Sequence, residues 1–325
     1  MVLTCVCCRP TREGPMEPGS LLRTAREAAG VGLREIARRT HYSAAYLSLI
    51  ESGKRAVPAA VLAAYEKALD STLERLTAVA KSPASVDTAA LEDVAVMLAA
   101  TRRIEDATGA VAVLPAVRGM SDMAETFARE ARTAQATAAG LASEIDQYRG
   151  WLEHATGGGS AARRSLRNAV NLAQQSGDPD RLAHGLFFTT YVTMERGDYG
   201  AAAALSDAAL AVRGVHPVLG VYGRYQRAEL LALQGESRQV GKALALADRG
   251  AESADSIEPP ASAYWYGAGF WSVHRGVVLA LLGRNADAVR EAAQGVAAMP
   301  TEHRRTEWLA LMLRQVDPEM RAQDA

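Results

Sequence analysis

Residues 32–55 read GLREIARRTHYSAAYLSLIESGKR, and this stretch decides the fold of the amino-terminal part of the chain. Apolar Leu33, Ile36 and Ala37 recur at spacings of three and four, with Arg34, Arg38 and Arg39 on the opposite side. The spacing predicts a short helix with a narrow buried stripe under a basic face. His41 and Tyr42 form a turn in which His41 stands where a left-handed backbone is expected; Gly is usual there, and His is one of the tolerated substitutes. Ser43 is the expected cap of a second helix that buries Leu47 and Ile50 and leaves Ala44, Ala45, Ser48 and Leu49 outward. Gly53 stops that helix, and Lys54 and Arg55 follow at once, placed for a phosphate. Two short helices held by a tight turn can set the second one into a DNA groove. Ordinary bundle helices share the spacing, but here turn chemistry, periodicity and basic residues agree.

On these residues, Ser20 to about Asp70 resembles the phage-repressor-like (Xre) helix-turn-helix domain. The resemblance is carried by Glu35-Ile36-Ala37, Ser43, Tyr46-Leu47-Ser48, Ile50-Glu51 and Gly53-Lys54-Arg55. It implies a five-helix head: a first helix over Leu21–Ala29, the reading pair, and two further helices up to Asp70. The candidate DNA-binding residues are Arg34, Ser43, Ala44, Ala45, Tyr46, Ser48, Lys54 and Arg55. Two departures stand out. Leu33 replaces the Gln with which many members touch phosphate, and Ala44 and Ala45 offer only methyl groups to a base edge. Base reading then leans on Ser48, on the Tyr46 hydroxyl and on DNA shape.

A chain of 325 residues with 49% apolar composition can fill two cores of ordinary size. Charge is unevenly spread. Residues 19–70 hold eight Lys or Arg against five acids, and from Ser71 onward 26 basic residues face 30 acidic ones. A basic head on an acidic body predicts that the head alone approaches nucleic acid. Cys5, Cys7 and Cys8 lie in residues 1–18, read as a disordered tail; without accompanying His they make a poor metal cluster, and no metal or cofactor is expected. Met16 leaves open a natural start just before the head. No apolar run spans a bilayer and no signal peptide is visible, so the expected protein is cytoplasmic and free of membrane.

Beyond a linker over 71–86, centred on Lys81-Ser82-Pro83-Ala84-Ser85, the chain to residue 325 reads as helix after helix. Candidates over Ala90–Ala107, Leu114–Thr133 and Thr137–His154 precede a repeating pattern. Turns at Gly157, Gly197, Gly235 and Gly283 are each followed five residues later by Ala162, Ala202, Val240 or Ala288. Twelve residues after each turn stand Ala169, Ala209, Ala247 or Gly295, and seven before it Gly150, Thr190, Ala228 or Gly276. Small residues at fixed phases let antiparallel helices approach and successive pairs stack, as a helical solenoid requires. The pattern is similar to tetratricopeptide (TPR) repeats, although the spacings of 40, 38 and 48 residues exceed the ~34 of that family. The fold expected is all-α: a repressor-like head followed by a TPR-like α-solenoid.

Arg149, Arg227 and Arg275 share one phase, and aromatic residues crowd the first helices of the repeats. Two readings stay open. In one, first helices line a concave surface where Tyr191, Tyr225, Arg227, Tyr264, Trp271 and Arg275 hold a small molecule or short peptide. In the other, the rings fill the core and the arginines pair with acids such as Glu153, Glu229 or Glu252. Head and body together resemble the peptide-responsive quorum-sensing regulators with tetratricopeptide-like sensor domains (the RRNPPA group), and Ala/Arg-rich regulators of high-GC actinobacteria. The likeness implies a ligand-responsive, homodimeric transcriptional regulator acting on a double-stranded operator. The alternative is a DNA-tethered scaffold whose repeats bind a partner protein. An enzyme is disfavoured, because no P-loop, dinucleotide-binding Gly pattern, HExxH or nucleophile elbow occurs and the six His are scattered.

Overall fold

Helix-forming periodicity governs the chain throughout, and the computed structural model, which describes residues 17–71 and 73–322, contains sixteen α-helices and three short 3-10 turns with no strand among those residues. The tail cysteines Cys5, Cys7 and Cys8 lie outside the described residues. The head comprises α1 (Pro18–Ala28), α2 (Leu33–Thr40), α3 (Ala44–Glu51), α4 (Ala59–Leu69) and α5 (Leu73–Lys81). Leu22, Ile36, Leu47, Ile50, Val61, Tyr65 and Leu73 form its core. His41 is left-handed at φ 59° between α2 and α3, as the turn requires, and Asp70 takes φ 50° at the end of α4.

Five helices are present, but the fifth lies past Asp70, in the segment expected to be a linker. Leu73, Leu76, Val79 and Ala80 give α5 a buried stripe, and Pro83–Ser85 makes a single tight turn with Pro83 buried. This segment therefore packs the head onto the first helices of the body, α6 (Thr88–Thr108) and α7 (Ala110–Glu130). Leu21, Leu76 and Val79 share one core with Val94 and Leu98 of α6 and with Val113, Val117 and Met120 of α7. The helices α1 and α7 approach so closely that a Cβ on Gly119 would sit 2.3 Å from Thr24 Oγ1.

Four helical hairpins come next, formed by α8 (Gln135–Ala155) with α9 (Gly159–Ser176), α10 (Pro179–Glu195) with α11 (Tyr199–Ala211), α12 (Pro217–Leu233) with α13 (Ser237–Ala254), and α14 (Ala268–Leu281) with α15 (Asn285–Ala298). Gly157, Gly197, Gly235 and Gly283 turn them, with φ from 73° to 82°, a region glycine enters without steric cost. The small residues five and twelve positions on are buried at the helix contacts. A Cβ on Gly295 would lie 2.6 Å from the Gly269 carbonyl oxygen, and one on Gly150 2.6 Å from Leu166. The chain closes with α16 (Glu307–Val316), whose Glu307 accepts a hydrogen bond from the Ala110 amide at 3.1 Å. The last helix thereby meets the start of α7, and the repeats curl around a shared interior. No helix of the described residues is long and apolar enough to cross a membrane.

Candidate functional sites

In the head, α3 is anchored from beneath. Glu51 is 6% exposed and receives two hydrogen bonds from Arg26 of α1, Nε to Oε1 and Nη2 to Oε2, each 2.7 Å, and one from the Tyr65 hydroxyl of α4 at 2.8 Å. Arg26 also donates to the Val31 carbonyl at 2.9 Å. Burial opposes the Arg26 charge, yet Glu51 holds its pKa above the ordinary value. This buried triad ties three helices at the foot of α3; sequence reading saw Glu51 only as part of a pattern.

The outward face of α3 presents Ala45, Ser48 and Leu49, with Ala44 and Tyr46 half-buried at its edge. Ser43 caps the helix, its hydroxyl accepting from the Tyr46 amide at 3.2 Å, so that oxygen is engaged within the protein. The Arg55 guanidinium lies 4.8 Å from the centre of the Tyr46 ring, and Lys54 is exposed beside it. Arg34 is exposed on α2, whereas Arg38 and Arg39 both bind Glu35, at 2.6 and 2.7 Å, and pull its carboxyl down to about 2. Of the basic residues on α2, Arg34 is the one not engaged by Glu35. Of the eight predicted DNA-binding residues, Ser43, Ala44, Ala45, Tyr46 and Ser48 lie on α3 or its cap, Lys54 and Arg55 follow its end, and Arg34 is on α2.

The second site is a cavity of about 100 Å³, partly open to solvent, within the curl of the body. The first helices of all four hairpins wall it: Tyr148 and Trp151 from α8, Phe188 and Tyr191 from α10, Tyr222 and Glu229 from α12, Phe270 and His274 from α14. Tyr264, Trp265 and Tyr266 enter from the segment before α14, and Trp308 and Met312 from α16. The remaining wall is α6, with Arg102, Glu105 and Asp106. Tyr222 and Tyr266 stack at 5.0 Å, and the Tyr264 hydroxyl donates to Asp106.

Of the six residues predicted to converge on a ligand, Tyr191 and Tyr264 line this cavity. The other four are placed elsewhere. Tyr225 donates to Asp248 at 2.8 Å and stacks on Trp271 at 5.8 Å, both rings packed in the core of the last hairpins. Arg227 pairs with Asp207 of α11 at 3.2 Å. Arg275 pairs with Asp248 of α13 at 3.4 Å and Glu291 of α15 at 2.8 Å, while Arg149 binds Glu153 at 3.1 Å. Arg227 and Arg275 reach carboxylates of adjoining helices and so staple neighbouring hairpins, whereas Glu153 lies one turn along the same helix as Arg149. All three arginines pair with acids; of the acids named from the sequence, Glu153 is the partner of Arg149, while Arg227 and Arg275 pair with others.

Sequence reasoning missed the charged wall. Arg102, Glu105 and Asp106 lie outside the four repeating units, and only the closure of the body on α6 brings them to the first helices. Burial, with Asp106 and Glu307 nearby, raises the Glu105 carboxyl to about 8, and burial also raises Asp106. Burial lowers His184, behind this wall, to about 3, so it stays neutral.

Residues 19–79 match the family model of a helix-turn-helix domain. That span reaches well into α5, in keeping with the place of Leu73 in the head core. Comparison with curated proteins and with solved structures gave no match. The chain carries a helix-turn-helix domain, which supports a DNA-binding regulator, and a helical repeat-like region follows it; the described residues are all-helical.

Proposed function

We propose that this protein is a one-component, sequence-specific transcriptional regulator of the Xre type, whose TPR-like body binds a small signalling molecule and adjusts operator binding. One observation carries the reading: α6 is at once a wall of the aromatic cavity and part of the surface on which the head is packed. Arg102, Glu105 and Asp106 face the cavity, while Leu98 shares a core with Leu21 and Leu76, and Ile104 lies against Gly30. A ligand that shifts α6 therefore acts on the seat of α1, and differential affinity for two head positions is all that regulation requires. A concave space of only about 100 Å³ favours a small molecule over a short peptide, and over the long apolar groove that a protein scaffold would need. The head spans about 19–81 in this reading, and the body the remainder.

Operator contacts divide by chemistry. Lys54, Arg55 and Arg34 meet phosphate, Ser43 positions the helix, and Ser48 with Ala44, Ala45 and the edge of Tyr46 meets bases. With so few polar base contacts on one head, useful specificity requires two half-sites and therefore a homodimer. Arg55→Ala should weaken binding to all sequences alike and reduce the salt slope by about 1. The decisive experiment captures DNA fragments with the purified protein, with and without the small-molecule fraction of a cell extract. It is then repeated with Leu311→Trp, a substitution on α16 at a residue lining the cavity, chosen to fill it. The extract should change binding by the unsubstituted protein and leave the variant unaffected; an equal response from both would defeat the proposal.

A further inference from the structure

We propose that the cavity takes a small organic cation, an amine or quaternary ammonium carried on an apolar or aromatic body. This rests on the cavity being a ligand site and names the class of its ligand. Three carboxylates border the space, Glu105, Asp106 and Glu229, and none of them pairs with Lys or Arg among the described residues. Glu229 meets His274 at 2.9 Å, and Asp106 accepts from Tyr264. Glu105 is only 4% exposed, and its Oε1 has no hydrogen-bond partner. An unmatched acceptor in so dry a place is costly to the fold, and a donor arriving with a positive charge is what would offset it.

The walls suit the same guest. Aromatic side chains from α8, α10, α12, α14 and α16 enclose the space, and ring faces attract ammonium groups, most strongly where water is excluded. The one guanidinium in the wall is partly engaged: Arg102 Nη1 binds Glu144 at 2.7 Å and its Cζ lies 5.2 Å from the centre of the Tyr148 ring, while Nε and Nη2 have no partner. An anion would have to approach that single arginine among three carboxylates. Arg227 and Arg275, which the sequence suggested as carboxylate clamps, are paired outside the cavity. Burial, with Asp106 and Glu307 nearby, raises the Glu105 carboxyl to about 8, so a bound cation would favour its ionised form and draw off the proton it otherwise keeps near neutral pH.

The test uses three probes of nearly equal shape on the full-length protein: phenethylamine, neutral 2-phenylethanol and anionic 3-phenylpropionate. Calorimetry and tryptophan fluorescence, which reports through Trp151, Trp265 and Trp308, give the affinities. The amine should bind at least tenfold more tightly than the alcohol, with the acid weakest. Glu105→Gln, a nearly isosteric change whose folding is checked by thermal unfolding, should erase most of the amine's advantage. Preference for the acid, no preference, or no binding of any probe would overturn the cation assignment. So would an advantage that Glu105→Gln leaves intact. If the amine fails while extract still alters DNA binding and Leu311→Trp abolishes that response, the ligand cavity stands and only the ligand class falls. An amine preference with no effect of extract on DNA binding would uphold the cation site and defeat its coupling to the head.

Discussion

The head and the body each bury ionisable groups, and they do it in opposite ways. Beneath α3, Arg26 and Glu51 are matched fork to fork, and Tyr65 takes up a further carboxylate lone pair. In the body, Glu105 is as deeply buried, yet one carboxylate oxygen is unmatched and two nitrogens of neighbouring Arg102 lack partners. A complete buried network fixes a geometry, whereas an incomplete one facing a cavity leaves binding capacity unspent. The first belongs where a recognition helix must be held rigid against DNA. The second belongs where something has yet to arrive.

The largest effect should come from breaking the complete network. Glu51→Ala leaves a buried guanidinium without its counter-ion, and removing one partner of such a pair costs about 3–5 kcal/mol. Urea unfolding at neutral pH should show that loss, and operator binding should fall with it because α3 loses its anchor. Replacing both partners by apolar residues of similar size should cost far less. A Glu51→Ala loss below about 1 kcal/mol would mean that the triad does not hold the head together.

The second effect has the opposite sign. The folded-state pKa of Glu105 is raised to about 8, from an ordinary value of 4.5. The folded protein therefore keeps a proton that the unfolded chain releases, so the stability linked to this group is fully present below pH 4.5 and is lost as pH rises toward 8. Glu105→Gln removes that loss. Relative to the unsubstituted protein the variant should gain nothing from this linkage at pH 4, and on the order of a few kcal/mol at pH 9. Asp146 and His184, also shifted by burial, are common to both proteins and cancel in the difference. A difference that is flat with pH would show that Glu105 is matched in solution.

The same contrast explains what the sequence could tell. The reading pair was legible because its signals are local: the left-handed His41, the Ser43 cap and the stripe through Ile36, Leu47 and Ile50 are all set within 24 residues. The hairpins were legible because close packing leaves small residues at constant phase around Gly157, Gly197, Gly235 and Gly283. What was lost depends on closure. Nothing local shows that α6 and α16 meet the first helices of the repeats, so Glu105 and Trp308 carried no signal. Periodicity also locates a side chain around a helix without saying which neighbour it meets. Arg227 and Arg275 share a phase with Arg149 and have acids for neighbours, although their sequence looked like that of a binding face. The boundary at Asp70 misled for a related reason, since its left-handed turn ends α4 but not the head.

The smallest predicted effect tests the division between staple and site. Arg275 is about one-third exposed and pairs with Asp248 and Glu291, whose side chains are partly exposed as well. Water screens such pairs, and ordering three long side chains offsets part of the attraction, so Arg275→Ala should cost about 0.2–1 kcal/mol, and less at high salt. Because its charge is directed at α13 and α15 and not into the cavity, the variant should bind phenethylamine and answer extract as the unsubstituted protein does. Affinity and stability measured on the same preparation separate the two roles. A tenfold change in amine affinity would place the Arg275 charge in the site after all, and the line drawn between matched charge that builds the body and unmatched charge that waits for a ligand would have to move.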